Sequence, residues 1–116
     1  MIKEIESFLA AVRGILFALK NERHFKFHFV FSIFVVTAGC YFNITGSQWS
    51  LILICIAMVT VAEILNSSIE KLTDIVSPGY NKQAGIVKDL AAGGVLITAI
   101  VAAIIGAVIF LPILLK

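Results

Sequence analysis

Residues 49–74 read WSLILICIAMVTVAEILNSSIEKLTD, an uncharged run that passes without a break into a polar one. From Trp49 to Ala62 there is no charged side chain, and at ~1.5 Å of rise per residue that stretch makes about 20 Å of helix. The hydrocarbon core of a bilayer is ~30 Å thick, so Glu63 is expected near or just past its far boundary. Glu63, Asn66, Glu70 and Asp74 follow at steps of three, four and four. At ~100° per residue they fall within about 80° of arc, one polar stripe on one helix face. Ionisable groups at such depth cost at least ~2.5 kcal/mol each on insertion scales, which makes them candidates for function. The plainer alternative is a solvated extension of the helix, and it suits Asp74 better than Glu63.

Working outward, the pattern predicts a helix over 48–76, with Trp49 suited to the outer interface and Ser77-Pro78-Gly79 ending it. Asn43-Ile44-Thr45-Gly46-Ser47 reads as a short polar turn, preceded by a first span over 27–44. The opening of that span, Phe25-Lys26-Phe27-His28-Phe29, alternates with period two as a strand would. The apolar run continues unbroken to Ala38, however, and a lone strand cannot satisfy its backbone in lipid, so the segment is read as helix. A third span is expected over 86–115, with Lys88 and Asp89 in its first turns and no charge from Leu90 to Leu115. Ala99, Ala103 and Ala107, with Ala102 and Gly106, give this helix small-residue faces. These suit close helix packing or simply reflect membrane-span composition. Near the N-terminus, Ile2, Ile5, Phe8, Leu9, Val12, Ile15, Leu16 and Leu19 mark one face of an amphipathic helix over 2–22, best placed lying on the membrane surface.

Composition agrees. Hydrophobic residues make up 60% of the 116 and charged ones 14%, against roughly 25% charged in ordinary soluble proteins. A soluble domain of this size has too much surface to cover with so few charges. The net charge of +2, with no basic stripe and interleaved aromatics, argues against a nucleic-acid partner. Cys40 and Cys55 both lie in apolar segments and read as small hydrophobes. Glu4, Glu6 and Arg13 interrupt any cleavable signal. Three spans put the termini on opposite sides. The positive-inside rule then places the N-terminal helix and the Lys71–Lys88 connection in the cytoplasm, with the Asn43 turn and Lys116 outside.

Two carboxylates on one face plus an amide are a donor set for a hard cation such as Mg²⁺, which takes oxygen ligands and keeps several waters. Glu22 supplies a further carboxylate from the end of the surface helix, and Lys88 a compact positive charge for phosphate. Phosphoryl transfer needs that set: a metal on the phosphate oxygens, a cation beside them, and a group orienting the attacking hydroxyl. Neither G-x-x-x-x-G-K-[ST] nor G-x-G-x-x-G occurs, so the common nucleotide folds do not apply. The competing reading is a small oligomeric transporter using Glu63 as its proton or cation site. Such a transporter has no use for Glu22, Glu70, Lys88 and Asp89 on one cytoplasmic face. A purely structural membrane protein leaves the costly stripe without a purpose. His28 reads equally as an interfacial polar residue or as a substrate contact.

The run Glu63-Ile64-Leu65-Asn66-Ser67-Ser68-Ile69-Glu70-Lys71-Leu72-Thr73-Asp74 resembles the signature E-x-x-N-[ST]-x-I-E-x-x-x-D of the bacterial integral-membrane diacylglycerol kinases and undecaprenol kinases. Tyr80, Ala84-Gly85, Val87-Lys88-Asp89 and Ala91-Ala92-Gly93-Gly94 are similar to the family's second motif. Gly14, Ala18, Asn21-Glu22-Arg23 and Phe25-Lys26-Phe27-His28 are similar to its entry into the first span, so the likeness covers nearly the whole chain. The resemblance implies a homotrimeric bundle, each chain a surface helix plus three transmembrane helices, with sites built between subunits. It implies an ATP- and Mg²⁺-dependent lipid kinase of the bacterial inner membrane whose substrate is diacylglycerol or undecaprenol. By the same likeness Glu63 is the base on the lipid hydroxyl, Glu22 and Glu70 hold Mg²⁺, and Asn66 supports the site. Lys88, Asp89, the Gly79-Tyr80-Asn81 loop and Lys3 contact the nucleotide. Ala10, where many members have Tyr, and Asn81, where they often have His, are departures at positions of adenine or ribose contact. The segment Glu22-Arg23-His24-Phe25-Lys26-Phe27-His28 is more similar to the undecaprenol kinase branch (E-R-N-F-R-I-H), which favours a polyisoprenol substrate.

Overall fold

Four helices follow one another with short connections in a computed structural model that describes residues 1–116. They are α1 (Ile2–Asn21), α2 (Arg23–Tyr41), α3 (Gly46–Val76) and α4 (Lys82–Leu114). The all-helical reading and the number of helices agree with the sequence pattern. The boundaries differ most at the first span. It starts at Arg23 rather than 27, so Phe25 to Phe29 is helical despite its period-two pattern, and it ends at Tyr41 rather than 44. The second begins at Gly46 rather than 48, and the third at Lys82 rather than 86.

Local chemistry accounts for those starts. Thr45 Oγ1 accepts a hydrogen bond from the Gln48 N–H (3.2 Å), and Gln48 Oε1 accepts one from the Thr45 N–H (2.9 Å), a reciprocal capping box that sets the first turn of α3. The turn before it places Asn43 at φ 50°, a left-handed conformation that Asn tolerates. Asn81 Oδ1 accepts from the N–H groups of Gln83 (2.9 Å) and Ala84 (3.2 Å), which begins α4 well before its apolar stretch. On α1, the terminal ammonium lies 2.7 Å from Glu4 and holds that carboxyl below the usual range.

α2, α3 and α4 are each long and apolar enough to cross a membrane. At ~1.5 Å per residue, the 31 residues of α3 and the 33 of α4 make about 46 and 50 Å of helix, well beyond a ~30 Å hydrocarbon core. Only 10 of the 116 residues are buried, while Phe34, Leu90, Leu96, Ile97, Ile104 and Val108 all face outward. Water does not tolerate that much contiguous apolar surface. The chain is a multi-pass membrane protein.

α3 packs most extensively on α4, less on α2, and α1 rests against α2. At the end of the bundle carrying the α2–α3 turn, Ile44, Ile52 and Ile109 are buried together, with Val35, Phe42, Trp49, Phe110 and Ile113 packed around them. Gly39 is required there: a Cβ at that position would stand 2.8 Å from Trp49 Cη2. Toward the other end α2 draws away from α4 and leaves a cleft of about 410 Å³, floored by Ile52, Cys55 and Val59 of α3. One wall carries Phe27, Phe31 and Val35, and the other Ala99, Ala103 and Gly106.

Candidate functional site

The polar stripe of α3 begins where its buried face ends. Ile52, Cys55 and Val59 are buried at helical spacing, and Glu63 is next on that face, only 4% exposed. Desolvating a lone carboxylate is costly, and it needs a partner. The partner is His28 of α2, whose Nε2 lies 3.0 Å from Glu63 Oε1. Neither surroundings nor partner could be read from the stripe alone. His28 had two sequence readings, interfacial ring or substrate contact; in the fold it touches Glu63 and also lines the apolar cleft.

One turn further, Asn66 donates from Nδ2 to Glu70 Oε1 at 3.2 Å. Its Oδ1 is buried without a hydrogen-bond partner, the only such side-chain atom in the protein. A buried acceptor left without a donor calls for an explanation, and a cation or an incoming hydroxyl would supply one. Asp74, still further along, accepts a hydrogen bond from Lys88 Nζ at 2.6 Å. That contact ties the end of α3 to the start of α4 and joins two of the charged residues picked out by the sequence.

Glu22 sits at the α1–α2 junction, and Lys71 Nζ of α3 lies 3.3 Å from its Oε1. The same ammonium stands 5.0 Å over the ring of Phe17 on α1. Lys71 was absent from the sequence-derived set. Its neighbour Glu70 drew attention by position, whereas Lys71 matters only because α1 folds back onto the end of α3, and no local pattern announces that.

The remaining candidates are placed but not joined. Lys3 lies exposed on α1, Asp89 is exposed on α4, and Gly79 and Tyr80 are exposed in the α3–α4 connection, with Tyr80 making no hydrogen bond. Asn81 in that connection uses its carbonyl oxygen to cap α4. Within a single chain no three His, Cys, Asp or Glu side chains converge to hold a metal ion. Glu22 and Glu70 are thus one carboxylate each, the first neutralised by Lys71 and the second held by Asn66.

The site is therefore one polar end of a membrane bundle, where four segments meet through three cross-segment pairs: His28–Glu63, Lys71–Glu22 and Lys88–Asp74. Comparison with known proteins gives this arrangement its setting. The chain is 35% identical over 107 residues to an undecaprenol kinase of Bacillus subtilis, covering 92% of this chain and 87% of that one. It is 34% identical over 111 residues to a diacylglycerol kinase of Synechocystis sp., covering 95% of this chain and 63% of the relative. To a diacylglycerol kinase of Escherichia coli it is 32% identical over 92 residues, 79% of this chain and 75% of the relative. Residues 9–110, which include every element of the polar end except the start of α1, match the family described as prokaryotic diacylglycerol kinase, and the chain belongs to that family.

Proposed function

We propose that the protein is a lipid kinase that transfers the γ-phosphate of ATP to the hydroxyl of a membrane lipid alcohol. The observation that carries the reading is Glu63, a carboxylate buried one turn beyond Val59 of the cleft floor and paired at 3.0 Å with His28, which lines that cleft. In this reading the hydroxyl proton passes to Glu63, the lipid oxygen bonds to the γ-phosphorus, and the bond from that phosphorus to the bridging oxygen breaks as ADP leaves. The lipid chains would remain in the bilayer while ATP arrives from water, so the chemistry belongs at the interface, where the length of the uncharged run before Glu63 would put that residue. Undecaprenol is favoured over diacylglycerol by the Glu22–His28 segment, which is closer to the undecaprenol kinase pattern.

Glu22 and Glu70 would hold Mg²⁺, with Asn66 supporting the site. The donors fit that ion: two carboxylates and a buried amide oxygen without a partner are all hard oxygen ligands. The metal would neutralise charge on the phosphate oxygens. Lys88 and Asp89, the Gly79-Tyr80-Asn81 loop and Lys3 would contact the nucleotide. Tyr80 and Lys3 are exposed and free to do so, while Asn81 offers only its amide nitrogen, its oxygen being engaged in the cap.

A homotrimer with sites shared between chains would bring the separated carboxylates of neighbours together and cover the outward apolar faces of the spans. The whole chain would act as one membrane-embedded domain of the bacterial inner membrane. α1, whose Ile2, Ile5, Phe8, Leu9, Ile15 and Leu16 are all exposed, would lie as an amphipathic helix on the cytoplasmic face. The test is purified protein in mixed micelles with Mg-ATP, offered undecaprenol and diacylglycerol separately. Phosphate transfer to lipid, faster with undecaprenol, is the expected result; no transfer to either lipid would overturn the reading.

A further inference from the structure

The base of a proton transfer has to present one oxygen in one direction, and a glutamate has three rotatable bonds with which to fail. Glu63 is held at a single point. Oε1 lies 3.0 Å from His28 Nε2, the carboxylate's one polar side-chain contact. Oε2 has no partner and is the oxygen left over for an incoming hydroxyl. His28 is partly buried, its side chain 25% exposed. It sits on the face of α2 toward α3, its carbonyl accepts from Ser32 Oγ at 2.8 Å, and its ring meets Phe27 edge-on at 5.4 Å. The imidazole lines both apolar clefts beside α2, one of about 410 Å³ toward α4 and one of about 340 Å³ on the other side.

We infer that His28 is a positioning residue for Glu63: its Nε2–H donates to Oε1, offsets the desolvation of the carboxylate, and leaves Oε2 aimed for the lipid hydroxyl. This rests on the reading of Glu63 as the base. His28 touches neither phosphate nor the reacting proton. It acts through Glu63, as a carboxylate that orients a metal-bound histidine acts through that histidine. A residue that only filled space at the cleft would need its shape and no N–H. A residue that only bound the lipid would need no contact with Glu63. The 3.0 Å geometry supplies the third role, which an amide N–H of similar reach can replace and a hydrocarbon cannot.

The experiment is steady-state kinetics of wild type, His28→Leu and His28→Gln in mixed micelles, with the melting temperature measured on the same preparations. His28→Leu is expected to lose ~10–100-fold in kcat, the scale of losing an orienting partner. The KM values for lipid and for Mg-ATP should hold, and His28→Gln should recover most of kcat. A wild-type kcat in His28→Leu overturns the inference. So does a raised lipid KM at unchanged kcat, the mark of a direct lipid contact, or an equal loss in both variants that follows a fall in melting temperature, the mark of packing. Absence of transfer by the wild type fails the lipid-kinase reading and this role with it; an active wild type with any of those three results fails this role alone.

Discussion

The two ends of the bundle are built on different principles. At the end bearing the α2–α3 turn, Ile44, Ile52 and Ile109 close a small apolar core, Trp49 sits against Gly39, and a capping box sets the start of α3. No charge takes part. At the other end the helices meet through His28–Glu63, Lys71–Glu22 and Lys88–Asp74, and a buried amide oxygen is left without a partner. An unsatisfied acceptor and buried charge are poor ways to hold a fold together. They are reasonable costs where a metal, a phosphate or a hydroxyl must be received. The apolar end holds the helices, and the polar end is left incomplete, as the proposed kinase site requires.

That division is open to attack from either side. Replacing Glu70 by Gln should lower turnover by ~10²-fold or more while the melting temperature stays within a few degrees, read by phosphate transfer and by thermal unfolding in the same detergent. A matching loss of Mn²⁺ binding, followed by electron paramagnetic resonance, would place the loss at the metal. Ile109→Ala should do the reverse. Deleting its buried side chain should cost ~2–4 kcal/mol of stability, read by unfolding, with turnover per folded molecule unchanged. Gly39→Ala should come next, at ~1–3 kcal/mol, because the new methyl meets the Trp49 ring 2.8 Å away and the ring must shift. The smallest effect is expected from Lys71→Met. Its ion pair with Glu22 is half exposed and worth ~0.2–1 kcal/mol, a difference that should shrink further in high salt. A stability loss from Glu70→Gln larger than that from Ile109→Ala would dissolve the distinction between the ends.

Much of the fold was legible because lipid makes so few demands. Uncharged runs of span length, a Pro-Gly breaker at Pro78-Gly79 and the absence of any other backbone solution in a bilayer set the spans almost unaided. The boundary at Arg23 was missed because Arg23, His24 and Lys26 keep hydropathy low over the first turn, although Phe25 to Phe29 was read as helix. Charged residues in that first turn lie where a helix can still reach headgroups and water. The starts at Gly46 and Lys82 were missed for a different reason. Thr45 and Asn81 cap with side chains, and their helices begin before hydropathy rises.

The site divided in the same way. Glu63, Asn66 and Glu70 were visible because they lie on one helix, where spacing converts directly into a shared face. His28 against Glu63 and Lys71 against Glu22 join different helices, and such pairs depend on how α1 and α2 dock on α3. Periodicity carries no information about that docking. His28 was singled out without its partner, and Lys71 not at all.

The most direct test of the account is Glu63→Gln, the smallest change that removes a base and keeps its shape. Measured beside the wild type in mixed micelles with Mg-ATP, it should leave nucleotide binding and the melting temperature nearly unchanged while phosphate transfer to lipid falls by ~10²–10⁴-fold, the range of a lost general base. Transfer within a few-fold of wild type would contradict the central claim, because the one buried carboxylate of the protein would then take no part in the chemistry.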